Sequence, residues 1–271
     1  MRSSIVLLTA TLLLNMVVLY RSGDRAEATL VDVVASQDAE VTSGTQFVGQ
    51  NQSNQGAHPE IEPIRANDGF DTRRRVYLQF DFFSDPTLAN ALTGGDSIVS
   101  YSLYAYNVRN FVLGDAAIED VLTSIHYVAN DAWAEGPYQD WTVINSADPE
   151  DGITWDNQVG INEFLDAESE DGTDTWYQWN FTPEMFVPGG SVDDSRLISL
   201  AMVPNDLNKQ TAWWLVSSFA SREYADPSKA PFLRVETHPI PEPSTLLLLG
   251  WGALGLASHQ RRRLRKLARQ R

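Results

Sequence analysis

Between residues 29 and 238 apolar and polar side chains alternate with a period of two, and no helical stripe is sustained. Nothing else in the chain constrains its fold as strongly. Successive side chains on a strand point to opposite faces, whereas a helix returns to the same face about every 3.6 residues. In residues 75–82, Val76, Leu78, Phe80 and Phe82 share one face, and Arg75, Tyr77, Gln79 and Asp81 the other. Val99, Tyr101, Leu103 and Ala105 form one row in residues 98–108, and Tyr177, Trp179 and Phe181 another in 176–181. Residues 124–128, 197–202, 211–216 and 231–236 read as further strands, rich in branched and aromatic side chains. Gly94-Gly95-Asp96, Gly189-Gly190 and Pro204-Asn205-Asp206 punctuate them. Many short strands with such breaks predict an all-β fold, a β-sandwich or jelly roll. Helical turns are expected only as decoration, at residues 115–123 and 182–186.

Both ends break this pattern. Arg2 precedes an apolar run over residues 5–20, and the small-residue site Ala26-Glu27-Ala28 follows. This is the layout of a secretory signal peptide with cleavage after Ala28, an uncleaved anchor being the alternative. The expected partners are Sec-type export machinery and signal peptidase. At the other end, Pro241-Glu242-Pro243 leads into a Leu- and Gly-rich stretch over residues 245–257, then a basic tail with Arg261, Arg262, Arg263, Arg265 and Lys266. A helix over 244–258 would be about 22 Å long. That is short for a hydrocarbon core of roughly 30 Å. The basic tail should stay cytoplasmic and leave the preceding domain on the far side. The expected division is therefore 1–28 signal peptide, 29–238 strand domain and 239–271 sorting segment with a short transmembrane helix.

The C-terminal segment resembles the PEP-CTERM sorting signal of Gram-negative bacteria. The resemblance implies cleavage near Pro241-Glu242-Pro243 by an integral-membrane exosortase, after a transient C-terminal anchor, with delivery to the cell surface or extracellular matrix. It also implies an association with exopolysaccharide.

The order of fragments in the strand domain resembles the DNRLRE-type domain, a β-sandwich group placed among carbohydrate-binding modules. The fragments are Gln37-Asp38-Ala39-Glu40-Val41, Arg73-Arg74-Arg75-Val76-Tyr77-Leu78-Gln79-Phe80-Asp81, Trp133-Ala134-Glu135-Gly136, Ile153-Thr154-Trp155-Asp156-Asn157-Gln158, and Phe219-Ala220-Ser221-Arg222-Glu223 followed by Pro231-Phe232-Leu233-Arg234-Val235. Extra residues at 145–152 and 162–174 depart from the family pattern.

Charge excludes some functions. The chain has 20 basic and 36 acidic side chains. Three basic residues lie before residue 29 and seven after 260, while only Asp24 and Glu27 among the acids lie outside, so residues 29–260 carry about −24. Such a surface repels nucleic acid, whose phosphates need a positive footprint. With no cysteine there is no disulfide scaffold, thiol catalysis or thiolate metal site.

No catalytic set stands out. His58, His126 and His238 read as structural histidines rather than members of a nucleophilic triad. Glu135 and Asp156, beside Trp133 and Trp155, form the carboxylate pair nearest to a glycosidase arrangement, and a role in turns is the plainer reading. The chain is expected not to be an enzyme and to need no cofactor, with a structural calcium on an acidic loop as the alternative. The acidic loop at 166–172 invites comparison with an EF-hand, but Gly172 falls at its seventh position and Tyr177 at its twelfth, so the match fails and a solvated loop is the plainer reading. Trp176, on the face opposite the Tyr177 row, and the adjacent pair Trp213 and Trp214 are the candidate sugar-stacking residues. The expected function is a non-catalytic module binding polysaccharide. A structural or adhesive envelope protein is the alternative, and a polysaccharide hydrolase or lyase the least favoured.

Overall fold

The computed structural model describes residues 28–43, 56–66, 72–114, 122–136, 152–170, 172–185, 197–204, 212–239 and 252; the side chains of 65–66, 111–114, 185 and 212–215 lie outside this description. Two units emerge: residues 28–94 with 98–237, and residues 1–27, 95–97 and 238–271. In the second unit the described contact is Ser97 Oγ–H donating to the His238 carbonyl at 3.3 Å. The signal peptide, the site at Ala26 and Ala28's predecessors, the Pro241-Glu242-Pro243 motif and the basic tail all lie outside the described residues. No helix among the described residues is long and apolar enough to cross a membrane.

Among the described residues the first unit is all-β with one short α-helix. Its strands are β1 (Thr29–Val34), β2 (Gln37–Ser43), β3 (Glu60–Ile61), β4 (Ile64–Ala66), β5 (Arg73–Asp81), β6 (Ser97–Gly114), β7 (Leu122–Val128), β8 (Phe164–Ser169), β9 (Thr175–Phe181), β10 (Leu197–Pro204), β11 (Ala212–Ala220) and β12 (Phe232–His238). The described pairings are antiparallel, among them β2 with β5, β5 with β10, β10 with β7 and β7 with β8. β1 pairs with β12, and β12 neighbours β6. β6 runs well past the expected residue 108 because it serves two partners: residues 101–107 pair with β9, and 107–114 with β11.

Alternation along these strands builds the core. Val31 and Val33 of β1, Leu233 and Val235 of β12, Tyr101, Leu103 and Ala105 of β6, and Tyr177, Trp179 and Phe181 of β9 form one cluster with Val76, Leu78 and Phe80 of β5 and Ile198, Leu200 and Met202 of β10. Trp179 is fully buried, and its indole N–H donates to the Thr123 carbonyl at 3.0 Å, so a large ring is enclosed with its polar atom satisfied.

The other face of β5 departs from the sequence reading. Tyr77 and Gln79 were expected on a polar row, yet both are buried. Loops at 129–136 and 152–163 cover them, and Tyr77, Ala39, Val41, Val128, Trp133, Ile153, Val159 and Ala201 make a second core. The polar atoms of the large side chains here find partners: Tyr77 O–H donates to the Val159 carbonyl at 3.1 Å, Gln79 Nε2 to the Asp131 carbonyl at 2.9 Å, and Trp133 Nε1 to Ser199 Oγ at 3.0 Å. Within the arginine run at the start of β5, Arg74 bridges Glu40 at 3.1 Å and Glu62 at 2.7 Å, and Arg75 lies over the Trp155 ring at 4.6 Å.

Three further differences concern local signals. Residues 166–169 of the acidic run are not a loop but part of β8. The Asp166 carboxylate accepts from the Ala167 and Asn180 backbone N–H groups at 2.8 and 2.7 Å, and its oxygens are thus already engaged. Leu122 and Thr123 begin β7 rather than closing a helical turn; residues 115–121 lie outside the described residues. Around residue 182 the expected turn is the 3₁₀ segment Pro183–Met185. A helix not anticipated, α1 (Pro86–Thr93), has a legible start: Asp85 Oδ1 accepts from the N–H groups of Thr87 and Leu88 at 2.7 and 3.1 Å, and Pro86 opens the first turn.

Candidate functional site

The outward rows of β1, β12, β6 and β9 form one continuous face. Burial alternates along β9 so that Tyr177, Trp179 and Phe181 point inward while Trp176, Gln178 and Asn180 point out. Tyr104 and Tyr106 take the outward positions on β6, and the registers Tyr106↔Trp176 and Tyr104↔Gln178 place them beside β9. Phe232 and Arg234 occupy the outward row of β12.

The result is an aromatic platform. Tyr104 and Phe232 stack at 4.7 Å with only 10° between their planes. Trp176 meets Phe232 at 5.3 Å and Tyr106 at 5.4 Å, both edge to face, and keeps 37% of its surface exposed. Two cations border the rings: Arg234 lies over Tyr104 at 4.9 Å and Lys229 over Tyr106 at 4.1 Å. Asp32 fixes Arg234 through a bidentate contact at 2.6 and 2.8 Å, so the guanidinium plane is held against the rings. Next to them, Ser102 Oγ–H and Gln178 Nε2 both donate to Asn180 Oδ1, at 2.8 and 2.6 Å. Tyr104 stacks on Phe232 and lies under Arg234, and Tyr106 lies under Lys229, so of the four rings Trp176 is the exposed one.

Of the candidate sugar-stacking residues, Trp176 therefore stands at the centre of an outward aromatic group. Trp213 and Trp214 belong to β11, with Trp214 in register with Leu113 and Ala66, but their side chains lie outside the described residues. The sequence reading missed Tyr104, Tyr106, Phe232 and Arg234. Their signal was available, since Tyr104 and Tyr106 alternate with the inward row Tyr101, Leu103 and Ala105.

Of the weighed carboxylate pair, Asp156 lies in an exposed turn, and the acids gathered around Glu135 are Asp38 and Glu223. Arg222 joins them, its Nη2 at 2.8 Å from Glu135 and its Nε at 2.9 Å from Glu223. Burial, then the neighbouring Glu223 charge, pushes Glu135 up to about 7, and burial raises Asp38 well above the usual carboxylate range. Three fragments far apart in sequence, at 37–41, 133–136 and 219–223, thus meet at one point. The histidines make local contacts. His126 Nε2 is 3.1 Å from Ser124 Oγ, whose hydroxyl donates to the Val203 carbonyl, so this serine is not a free nucleophile.

Beyond this unit, the sequence itself carries a recognisable segment. Residues 239–263 match the PEP-CTERM protein-sorting motif. The PEP-CTERM match takes in Pro241, Glu242 and Pro243, the apolar stretch after them, and Arg261, Arg262 and Arg263; Arg265 and Lys266 lie just past it. A PEP-CTERM motif implies an exported protein that exosortase sorts to the cell surface. No curated protein matches the chain. The DNRLRE-type likeness rests on the fragments alone.

Proposed function

We propose that the chain is a cell-surface or matrix-associated protein whose strand domain is a two-layer, non-catalytic β-sandwich that binds polysaccharide on the face around Trp176. Signal peptidase removes residues 1–28 after Sec-type export, and exosortase releases the domain from its transient C-terminal anchor at the PEP-CTERM motif. The observation that carries glycan binding is the outward quartet Tyr104, Tyr106, Trp176 and Phe232, held between Arg234 and Lys229. An aromatic group of this size on an acidic, water-facing domain otherwise exposes apolar area without return.

Affinity electrophoresis of the purified protein through gels containing polysaccharides of different backbone and charge tests the reading. At least one polymer should retard the wild-type protein, and Trp176→Ala should weaken retention about tenfold, or ~1.4 kcal/mol, with an unchanged melting transition. Absence of retardation by every polymer, or equal retardation of the variant, would refute it. A second reading, an adhesive envelope protein without a specific glycan, is favoured by β1. This strand ends the described strand order and exposes Leu30 and Val34. Concentration-dependent self-association without glycan retention would select it.

A further inference from the structure

Asp38 on β2, Glu135 in the loop after β7, and Glu223 in the turn after β11 each place one carboxylate oxygen within 4.8 Å of the other two. Asp38 is completely buried. Its Oδ2 accepts the Arg222 backbone N–H at 2.7 Å, but its Oδ1 is shielded from solvent and accepts no hydrogen bond. Glu223 Oε2 is in the same state, while Glu223 Oε1 takes Arg222 Nε. The guanidinium therefore pairs with two of the three carboxylates, Glu135 and Glu223, while its Nη1 is turned to the Ser36 carbonyl. A buried carboxylate oxygen without a donor is costly, and such groups are retained where a cation or proton completes them.

We propose that Asp38, Glu135 and Glu223 hold a calcium ion. With Arg222 included, the ionised cluster carries a net charge of −2, which a divalent cation cancels. The donors are hard oxygens with no histidine or thiolate among them, which favours calcium or magnesium over transition metals. Magnesium demands near-octahedral order, which three carboxylates from three separate segments do not impose, whereas calcium accepts an irregular oxygen shell. Arg222 occupies Glu135 Oε2 and Glu223 Oε1, so the orphaned Asp38 Oδ1 and Glu223 Oε2 are the oxygens left for the ion. The ion would clasp the 129–136 loop, which covers the second core, to β2 and to the turn leading into β12. This site is separate from the aromatic face and does not depend on glycan binding.

The test is thermal unfolding of the full chain in detergent, with EGTA, calcium or magnesium, for wild type, Asp38→Asn and Glu223→Gln. Calcium at a hundredfold excess over its Kd should raise the wild-type midpoint by roughly 5–10 °C. Magnesium should raise it much less, and the calcium shift should vanish in both variants. Should Asp38→Asn fail to fold, Glu223→Gln carries the comparison, because its side chain is 26% exposed and tolerates an isosteric change. No shift in the wild type, an equal shift in Glu223→Gln, or an equal response to magnesium would overturn the assignment. The Glu223→Gln arm also separates this site from general calcium binding by so acidic a surface.

Discussion

Neutralising Glu170 should stabilise the protein in alkaline solution and change little in acid. The residue follows β8 and is completely buried, and neither carboxylate oxygen has a hydrogen-bond partner. Its backbone is well held, since Asn110 Nδ2 donates to the Glu170 and Gly172 carbonyls at 2.9 and 3.0 Å. Burial raises its pKa to about 8. The ordinary glutamate value is 4.5, so the rise is about 3.5. At roughly 1.4 kcal/mol per unit, the shift corresponds to about 5 kcal/mol, an upper bound on the effect. The folded state binds a proton that the unfolded state releases between pH 4.5 and 8. The contribution is thus fully present below pH 4.5 and declines as pH rises, until it is lost above about 8. Urea unfolding of wild type and Glu170→Gln at pH 4.5, 6.5 and 8.5 measures this directly. Comparing the two proteins at each pH cancels the titration of the many other acids. The amide should be close to neutral at pH 4.5 and stabilising by several kcal/mol at pH 8.5. A difference that stays flat across this range, or a variant less stable at pH 8.5, would show that Glu170 is not a buried proton carrier in the folded protein.

Two further outcomes follow from close packing and from the sorting segment. Gly56→Ala should destabilise by about 1–3 kcal/mol, seen as a lower urea midpoint. A Cβ there would lie 2.1 Å from the Glu135 carbonyl oxygen, and backbone cannot move aside as a flexible side chain can. Glu242→Ala in the PEP-CTERM motif should leave the basic tail attached, so the intact mass of surface protein should include residues 244–271 where the wild type lacks them; identical masses would exclude exosortase recognition of Glu242.

The strands were legible because alternation is local. Val76, Leu78 and Phe80, or Tyr177, Trp179 and Phe181, must share a face whatever else the chain does, and a slip of one residue would turn every one of them to the opposite side. The same reasoning failed wherever a second layer arrived from elsewhere. Tyr77 and Gln79 look like a solvated row until the loops at 129–136 and 152–163 fold over them, and no period within β5 encodes that cover. The acidic run at 166–172 looked like a solvated loop, yet it pairs as β8 and ends in the buried Glu170, because backbone pairing with β7 outweighed the low strand propensity of its acids.

Sites divide along the same line. The PEP-CTERM segment is contiguous, and the order of its motif, apolar stretch and basic residues identifies it without coordinates. The outward position of Trp176 also follows from its neighbours in β9. Its company does not: Tyr104, Tyr106 and Phe232 join it only through the register of β9 on β6 and the placing of β12 beside β6. Likewise, nothing local distinguishes Asp38, Glu135 and Glu223 among 36 acids. Sequence dictates which face a side chain takes on its own strand, since that is set by bonds to its immediate neighbours. Which distant side chains share that face is decided by long-range pairing and burial, and so appears only once the chain has folded.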